Sequence, residues 1–245
     1  MDLHRRNVFP TLVMQIPYGF SVIDVVALGV FFVCWVGHYY VTYLSRWKSL
    51  TITTKMTEMR EQWMLNVVVR GDSPIDAIIQ NALHQGVLFF ASTTVLLIGG
   101  LVAGLGAADR GVEVLHQLPL VAASNTVQWE LKILLIIFIF VMAFFKFAWS
   151  YRLYNYILIM IGGVPQLDND DPALKVYAKR LSLLHALAAK HFTTGLNAYF
   201  FALAAFTWFV NAWLFMVATI WVVLVLYRRA FRSEFLRLSK AKSFD

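Results

Sequence analysis

Lys146 stands inside an aromatic run, Phe144-Phe145-Lys146-Phe147-Ala148-Trp149, and Arg152 follows close behind it. A lysine at the centre of a bilayer costs about 2.5–3.5 kcal/mol, and far less at an edge from which its ammonium reaches water. The spacing therefore admits two readings. In one, Lys146 snorkels at the membrane boundary beside Tyr and Trp residues. In the other, Lys146 and Arg152 face an internal vestibule, where poorly screened cations attract an anion or a lipid phosphate, Arg152 by two-point contact and Lys146 as a point charge. His84 and His191 are the further candidates to line such a space. At the other end of the same helix, Glu130 and Lys132 are two residues apart and so do not share a helical face. They and Asp24 form a candidate external charged set, with Asp24 either interfacial or the partner of Lys132 across helices.

Other chemistry finds little support. His38, His84, His185 and His191 suggest haem or metal ligation, but no CxxCH or HExxH string occurs and carboxylates do not flank them. Asp168 to Asp171 lacks the glycine and terminal glutamate of a calcium loop and reads as a helix start. Ser92, Thr93 and Thr94 lie in an apolar helix without a Gly-x-Ser-x-Gly turn, and Cys34 has no neighbouring base. No cofactor, metal or catalytic residue is expected.

The elements that position these residues follow from composition. The 245 residues are 60% hydrophobic and 14% charged, with a mean hydropathy of +0.66. Soluble domains carry about a quarter charged residues, so the composition points to an integral helical membrane protein, one transmembrane domain over 1–245. A single cysteine excludes an intrachain disulfide framework. The net charge of +7 sits beside apolar segments, which favours anionic lipid headgroups over nucleic acid as the partner.

The first span is expected from Ser21 to Leu44, after a start holding Arg5, Arg6, Pro10 and Pro17, and it reads as a retained anchor. Leu50 to Arg70 is amphipathic: Met56, Met59, Trp63 and Val67 recur at helical spacing while Lys55, Glu58, Arg60, Glu61 and Gln62 interleave. Gly71 stops that helix, and Ser73-Pro74 with Asp76 starts a second one. Its first half carries Asp76, Gln80 and His84 at four-residue intervals, and its apolar second half carries Gly99, Gly100 and Gly104, candidates for close helix packing within the bundle or between subunits. Ala108 to Thr126 reads as an external loop with a short helix. From Trp129 the helical pattern runs through to Gly162, Gly163 and Pro165, roughly 36 residues or about 54 Å, longer than a bilayer is thick, so its end projects as a stalk or bends along the surface. A second interfacial stretch carries Lys175, Lys179, Arg180 and Lys190.

His191 to Tyr227 holds either one kinked crossing or two with a turn near Asn211. Cations decide: Arg46, Lys48, Lys55 and Arg60 follow the first span, and Arg228, Arg229, Arg232, Arg237, Lys240 and Lys242 end the chain. The positive-inside rule places both groups in the cytosol. The expected fold is all-α integral membrane, with about five transmembrane helices (four in the alternative) and amphipathic interfacial helices. The N-terminus is expected outside and the C-terminus in the cytosol, in a bacterial inner membrane.

A set of strings adds a resemblance: Phe89-Phe90-Ala91-Ser92-Thr93 with Ile98-Gly99-Gly100, Trp129-Glu130-Leu131-Lys132, Phe144 to Leu153 with Asn155-Tyr156, and Lys190-His191-Phe192 with Gly195. Together they resemble a family of membrane proteins known as domain of unknown function five hundred ninety-nine, over about Ser21 to Arg232. The family pattern often has Pro where this chain has Asn211, and Arg where it has Asn197. The resemblance implies a multispan helical protein and brings no activity.

The expected function is transport or channel-like passage of an anionic or polar solute through a cationic cytosolic vestibule, in a homo-oligomer or beside a membrane partner subunit. The alternative is a non-catalytic accessory or scaffold protein that binds anionic lipid and a partner, and the third reading is a haem or redox subunit.

Overall fold

The computed structural model describes residues 19–71, 73–116, 125–168 and 171–234, and among these every regular element is helical. Arg5, Arg6, Pro10, Pro17, Pro119, Asn169, Asp170, Arg237, Lys240 and Lys242 lie outside the described residues. The α-helices are α1 (Val22–Tyr43), α2 (Ile52–Arg70), α3 (Pro74–Gly106), α4 (Ala108–His116), α5 (Thr126–Gly162), α6 (Pro172–Phe206) and α7 (Ala212–Phe231). Four of them, α1, α3, α5 and α7, are long and apolar enough to cross a membrane. This is an all-α membrane protein.

Helix ends are set by local chemistry. Ser21 and Asp24 make a reciprocal capping box at the start of α1, and Asn125 and Gln128 make another at the start of α5. Asn211 caps α7 by accepting from the Leu214 amide at 2.7 Å. The turn expected near that residue is thus the corner between α6 and α7, with a 3-10 turn at Thr207–Phe209. The expected stop at Gly71 is a residue at φ 77°, a region that L side chains avoid. The external loop contains its short helix, α4, tied to α5 where Thr126 Oγ1 donates to Asp109 Oδ1 at 3.0 Å.

The α5–α6 hairpin is the spine. α3 packs on α5, α2 packs on α6, and α1 lies against α7. Gly195 makes the spine close: a Cβ there would come within 2.7 Å of the Phe147 ring. Phe147 is fully buried and meets Phe90, Phe192 and Tyr199.

Contacts define two ends. At one lie the starts of α1 and α5, the end of α3 and the α6–α7 corner: Gln128 Nε2 donates to Gly19 O, Trp129 Nε1 to Gly104 O, and Trp208 Nε1 to Asp24 Oδ1. Counting about 20 residues inward, the length that crosses the hydrocarbon, reaches Tyr43, Gly86, Lys146 and the neighbourhood of Lys190. These residues mark a second level of the bundle, about one hydrocarbon thickness from the first. Beyond it, α2, the first half of α3, the last part of α5 and the first half of α6 continue as a helical extension. The last part of α5, expected to project as a stalk or to bend along the surface, is one member of it. Of the expected α2 stripe, Val67 is buried, Met56 and Trp63 are half-buried and Met59 is exposed, because the packed face is shifted towards Met64 and Val68.

Candidate functional site

At the Ser21 end the charges are paired off. Asp24 Oδ2 accepts from the Ser21 amide at 3.0 Å and from its hydroxyl at 2.6 Å, while Oδ1 accepts from Trp208. Lys132, buried at 5% exposure, points its ammonium over the Trp208 and Phe209 rings at 5.6 and 5.8 Å. One indole therefore ties carboxylate to ammonium, and the two charges attract across helices. Glu130 is half-buried nearby and does not share the Lys132 face.

The other boundary is different. A cavity of about 220 Å³ opens among α1, α2, α6 and α7, and His38, Thr42, Arg60, Asn197 and Arg229 are its polar wall. Met56, Phe192 and Leu226 supply apolar wall. His38 Nε2 and Asn197 Nδ2 lie 3.4 Å apart. Arg60 Nη1 is buried with no hydrogen-bond partner among the described residues, and so is the Thr42 hydroxyl. Burial holds the Arg60 guanidinium below its ordinary range, opposed by the Tyr154 hydroxyl. A buried donor left unsatisfied costs about 1–3 kcal/mol, more when charged, so this cavity is built to be completed by an acceptor. Its chemistry is that of a carboxylate or phosphate site: a fork of N–H donors, a hydroxyl, an amide and an imidazole.

Towards the Ser21 end the cavity is closed by rings. Phe201 lies 6.3 Å from His38, and it packs on Phe31 at 5.7 Å and on Trp35 at 5.6 Å. Phe31 meets Phe215, which meets Trp208. Inner cavity, aromatic plug and the Asp24–Trp208–Lys132 network lie in that order along α1, α6 and α7.

The four residues expected to line one vestibule are not brought to one place. Lys146 is half-buried at the end of a second, apolar groove between α1, α5 and α6. His191 is near it, its ring 6.4 Å from Trp149 and within the field of Lys146 and Lys190. Arg152 is exposed, and its Nε donates to the Tyr156 hydroxyl at 2.9 Å. His84 stacks on Tyr151 at 4.1 Å in the helical extension. There it follows Asp76, which accepts from Trp63 Nε1 at 2.8 Å and from Arg70, and Gln80, which is fully buried with both amide atoms unpartnered among the described residues. His185 sits in the same extension between Trp63 and Tyr154, each 5.3 Å away. Of the three glycines, Gly104 approaches Ile133 of α5, whereas Gly99 and Gly100 face open space.

The sequence did hold a signal for Arg60. Met56, Arg60 and Met64 are four apart, so a guanidinium sits on the apolar stripe and not among the polar residues that flank it. His38, Asn197 and Arg229 lie on three other helices, and no local spacing joins them. Among the described residues no cluster of three or more His, Cys, Asp or Glu residues is placed to hold a metal ion.

Comparison with curated proteins and with solved structures returns no match. The model of one family, described as protein of unknown function DUF599, matches residues 26–235. The chain belongs to the DUF599 family.

Proposed function

We propose that this protein is a transport-type membrane protein for a small anion, carboxylate- or phosphate-bearing, that enters from the cytosol and binds between Arg60, Arg229, His38 and Asn197. The observation that carries this reading is the unpartnered Arg60 guanidinium nitrogen in an open cavity that also holds His38, Asn197 and Arg229. The order of cavity, aromatic plug and charged network fits a pathway open at one end and closed at the other, and favours passage over static binding. In this reading α6 is the fifth crossing, from about His191 to Phe206; its polar first half lowers its overall apolarity, but it runs beside α5 to the same end.

Orientation follows from charge. Arg46, Lys55, Arg60, Arg70, Lys146, Arg152, Lys175, Lys179, Arg180, Lys190, Arg228 and Arg229 gather at or beyond the Lys146 boundary, while the opposite end holds Asp24, Asp109, Glu113 and Glu130 against Arg110 and Lys132. The positive-inside rule puts the helical extension and the C-terminus in the cytosol and the N-terminus outside. In a Cys34→Ala background, a cysteine added at the C-terminus is expected to resist impermeant maleimide in intact cells and to react after lysis.

Uptake of radiolabelled inorganic phosphate, sulfate and glutamate into proteoliposomes tests the function. At least one is expected to enter with wild-type protein. Loss of two to three kcal/mol of charged hydrogen bonding lowers uptake by about 30- to 150-fold in Arg60→Gln. Binding without uptake, or uptake indifferent to Arg60→Gln, overturns the proposal.

A further inference from the structure

The groove that ends at Lys146 shares no lining residue with the Arg60 cavity. Phe32, Trp35, Val36 and Tyr39 of α1, Phe138, Met142 and Lys146 of α5, and Thr194 and Ala198 of α6 enclose about 310 Å³ of it. The α1 residues recur at three- and four-residue steps and the α5 residues at four, so each set forms a vertical wall. From Phe138 to Lys146 the groove runs about 12 Å at 1.5 Å per residue, starting within the hydrocarbon and ending at the boundary. Nearly all of its wall within the hydrocarbon is apolar; its cationic and hydroxyl groups are at the end.

That end carries more than one cation. Lys190 lies over the Tyr39 ring at 5.7 Å and over Tyr43 at 5.1 Å, and the His191 imidazole feels both Lys146 and Lys190. Among the described residues the salt bridges are Lys55–Glu58 and Arg70–Asp76, so neither lysine has a carboxylate partner. Lys146 closes the apolar groove, and Lys190, which lines a neighbouring pocket with Thr42 and Tyr43, reaches the same end over the Tyr39 ring. The arrangement is complementary to a molecule that is apolar along its length and anionic at one end.

We propose that this groove is a binding site for an anionic phospholipid, one acyl chain lying between α1 and α5 and the phosphate held between Lys146 and Lys190. Charge complementarity at the depth where a phosphate sits selects this occupant over a zwitterionic lipid, whose own ammonium would meet the lysines. The site does not depend on transport through the Arg60 cavity and survives if that proposal fails.

Native mass spectrometry of the detergent-purified protein tests it, with dioleoylphosphatidylglycerol and dioleoylphosphatidylcholine added in equal amounts. The glycerol lipid is expected to be retained over the choline lipid. An anionic headgroup gains about fivefold per nearby lysine, so Lys146→Gln and Lys190→Gln each remove about that factor and the pair removes the preference. Met142→Trp, which fills the channel from its lipid side, lowers retention of the glycerol lipid without lowering the melting temperature. Equal retention of the two lipids by the wild type, or a preference that survives in the double variant, overturns the proposal. Displacement of the glycerol lipid by millimolar inorganic phosphate also overturns it, since that assigns the lysines to a free anion.

Discussion

Among the described residues, the two ends of the bundle differ in their buried polar groups: those at the Ser21 end are partnered, whereas at the other end the partnered Asp76 lies among buried groups that are not. At the Ser21 end, Asp24 is hydrogen-bonded by Ser21 and Trp208, and Lys132 rests on the same indole. At the other boundary, Arg60, Thr42, Gln80 and His185 bury polar atoms that no protein group among the described residues satisfies. Buried polar groups in folded proteins are nearly always paired, with protein or with ordered water. The contrast separates a closure, whose charges complete one another, from a region that waits for water or ligand.

The contrast can be broken most forcefully at the satisfied end. Asp24→Ala removes the acceptor of the Trp208 indole and the Ser21 cap and a charge that attracts the buried Lys132, and losing a hydrogen bond to a charged group costs about 1.5–3 kcal/mol. A fall of many degrees in the melting temperature in detergent is expected; an unchanged midpoint would show that the network does not hold the corner between α6 and α7.

The next effect belongs to the helical extension. His185 lies before the crossing part of α6, and burial, with the nearby Arg60 charge, pulls its imidazole down to about 4. The folded protein therefore prefers the neutral ring. Between pH 6.5 and 4 the unfolded chain binds the extra proton, so stability is full above about pH 6.5 and is lost as pH falls towards 4, by an amount on the order of 3 kcal/mol at most. His185→Gln flattens this dependence in a melting-temperature series over pH; an equal slope in both proteins would place the acid sensitivity elsewhere.

Gly195→Ala is expected to cost about 1–3 kcal/mol, because the added methyl meets a Phe147 ring that three aromatic neighbours hold in place. Unfolding in detergent measures it, and a neutral result would mean that the α5–α6 spine shifts freely. The smallest effect is that of Lys146→Leu. A half-buried lysine at the boundary, without an ion partner among the described residues, leaves membrane insertion and folding unchanged. Loss of folded protein would instead make Lys146 part of a structural pair.

Spans and caps were legible in the sequence because they are local. Apolar length identified α1, α3, α5 and the α6–α7 run, Gly71 and Ser73-Pro74 marked a helix boundary, and Asn211 marked the corner. What remained illegible was the convergence of side chains from different helices. His38, Arg60, Asn197 and Arg229 meet only after α1, α2, α6 and α7 pack together, and Trp208 joins Asp24 to Lys132 only through the corner that brings it back to α1. The expected vestibule grouped cations by helix and depth, whereas packing divided them by face, sending Lys146 to the end of an apolar groove with His191 beside it, His84 into the extension and Arg152 to solvent.

The most direct test of the central claim is equilibrium binding of radiolabelled inorganic phosphate, sulfate and glutamate to the detergent-purified protein and to its Arg60→Gln variant. Saturable binding of at least one of these anions by the wild type, weakened at least about tenfold by the substitution while the melting temperature holds, is the predicted result. Equal binding by the two proteins, or none of the three bound by the wild type, would contradict it.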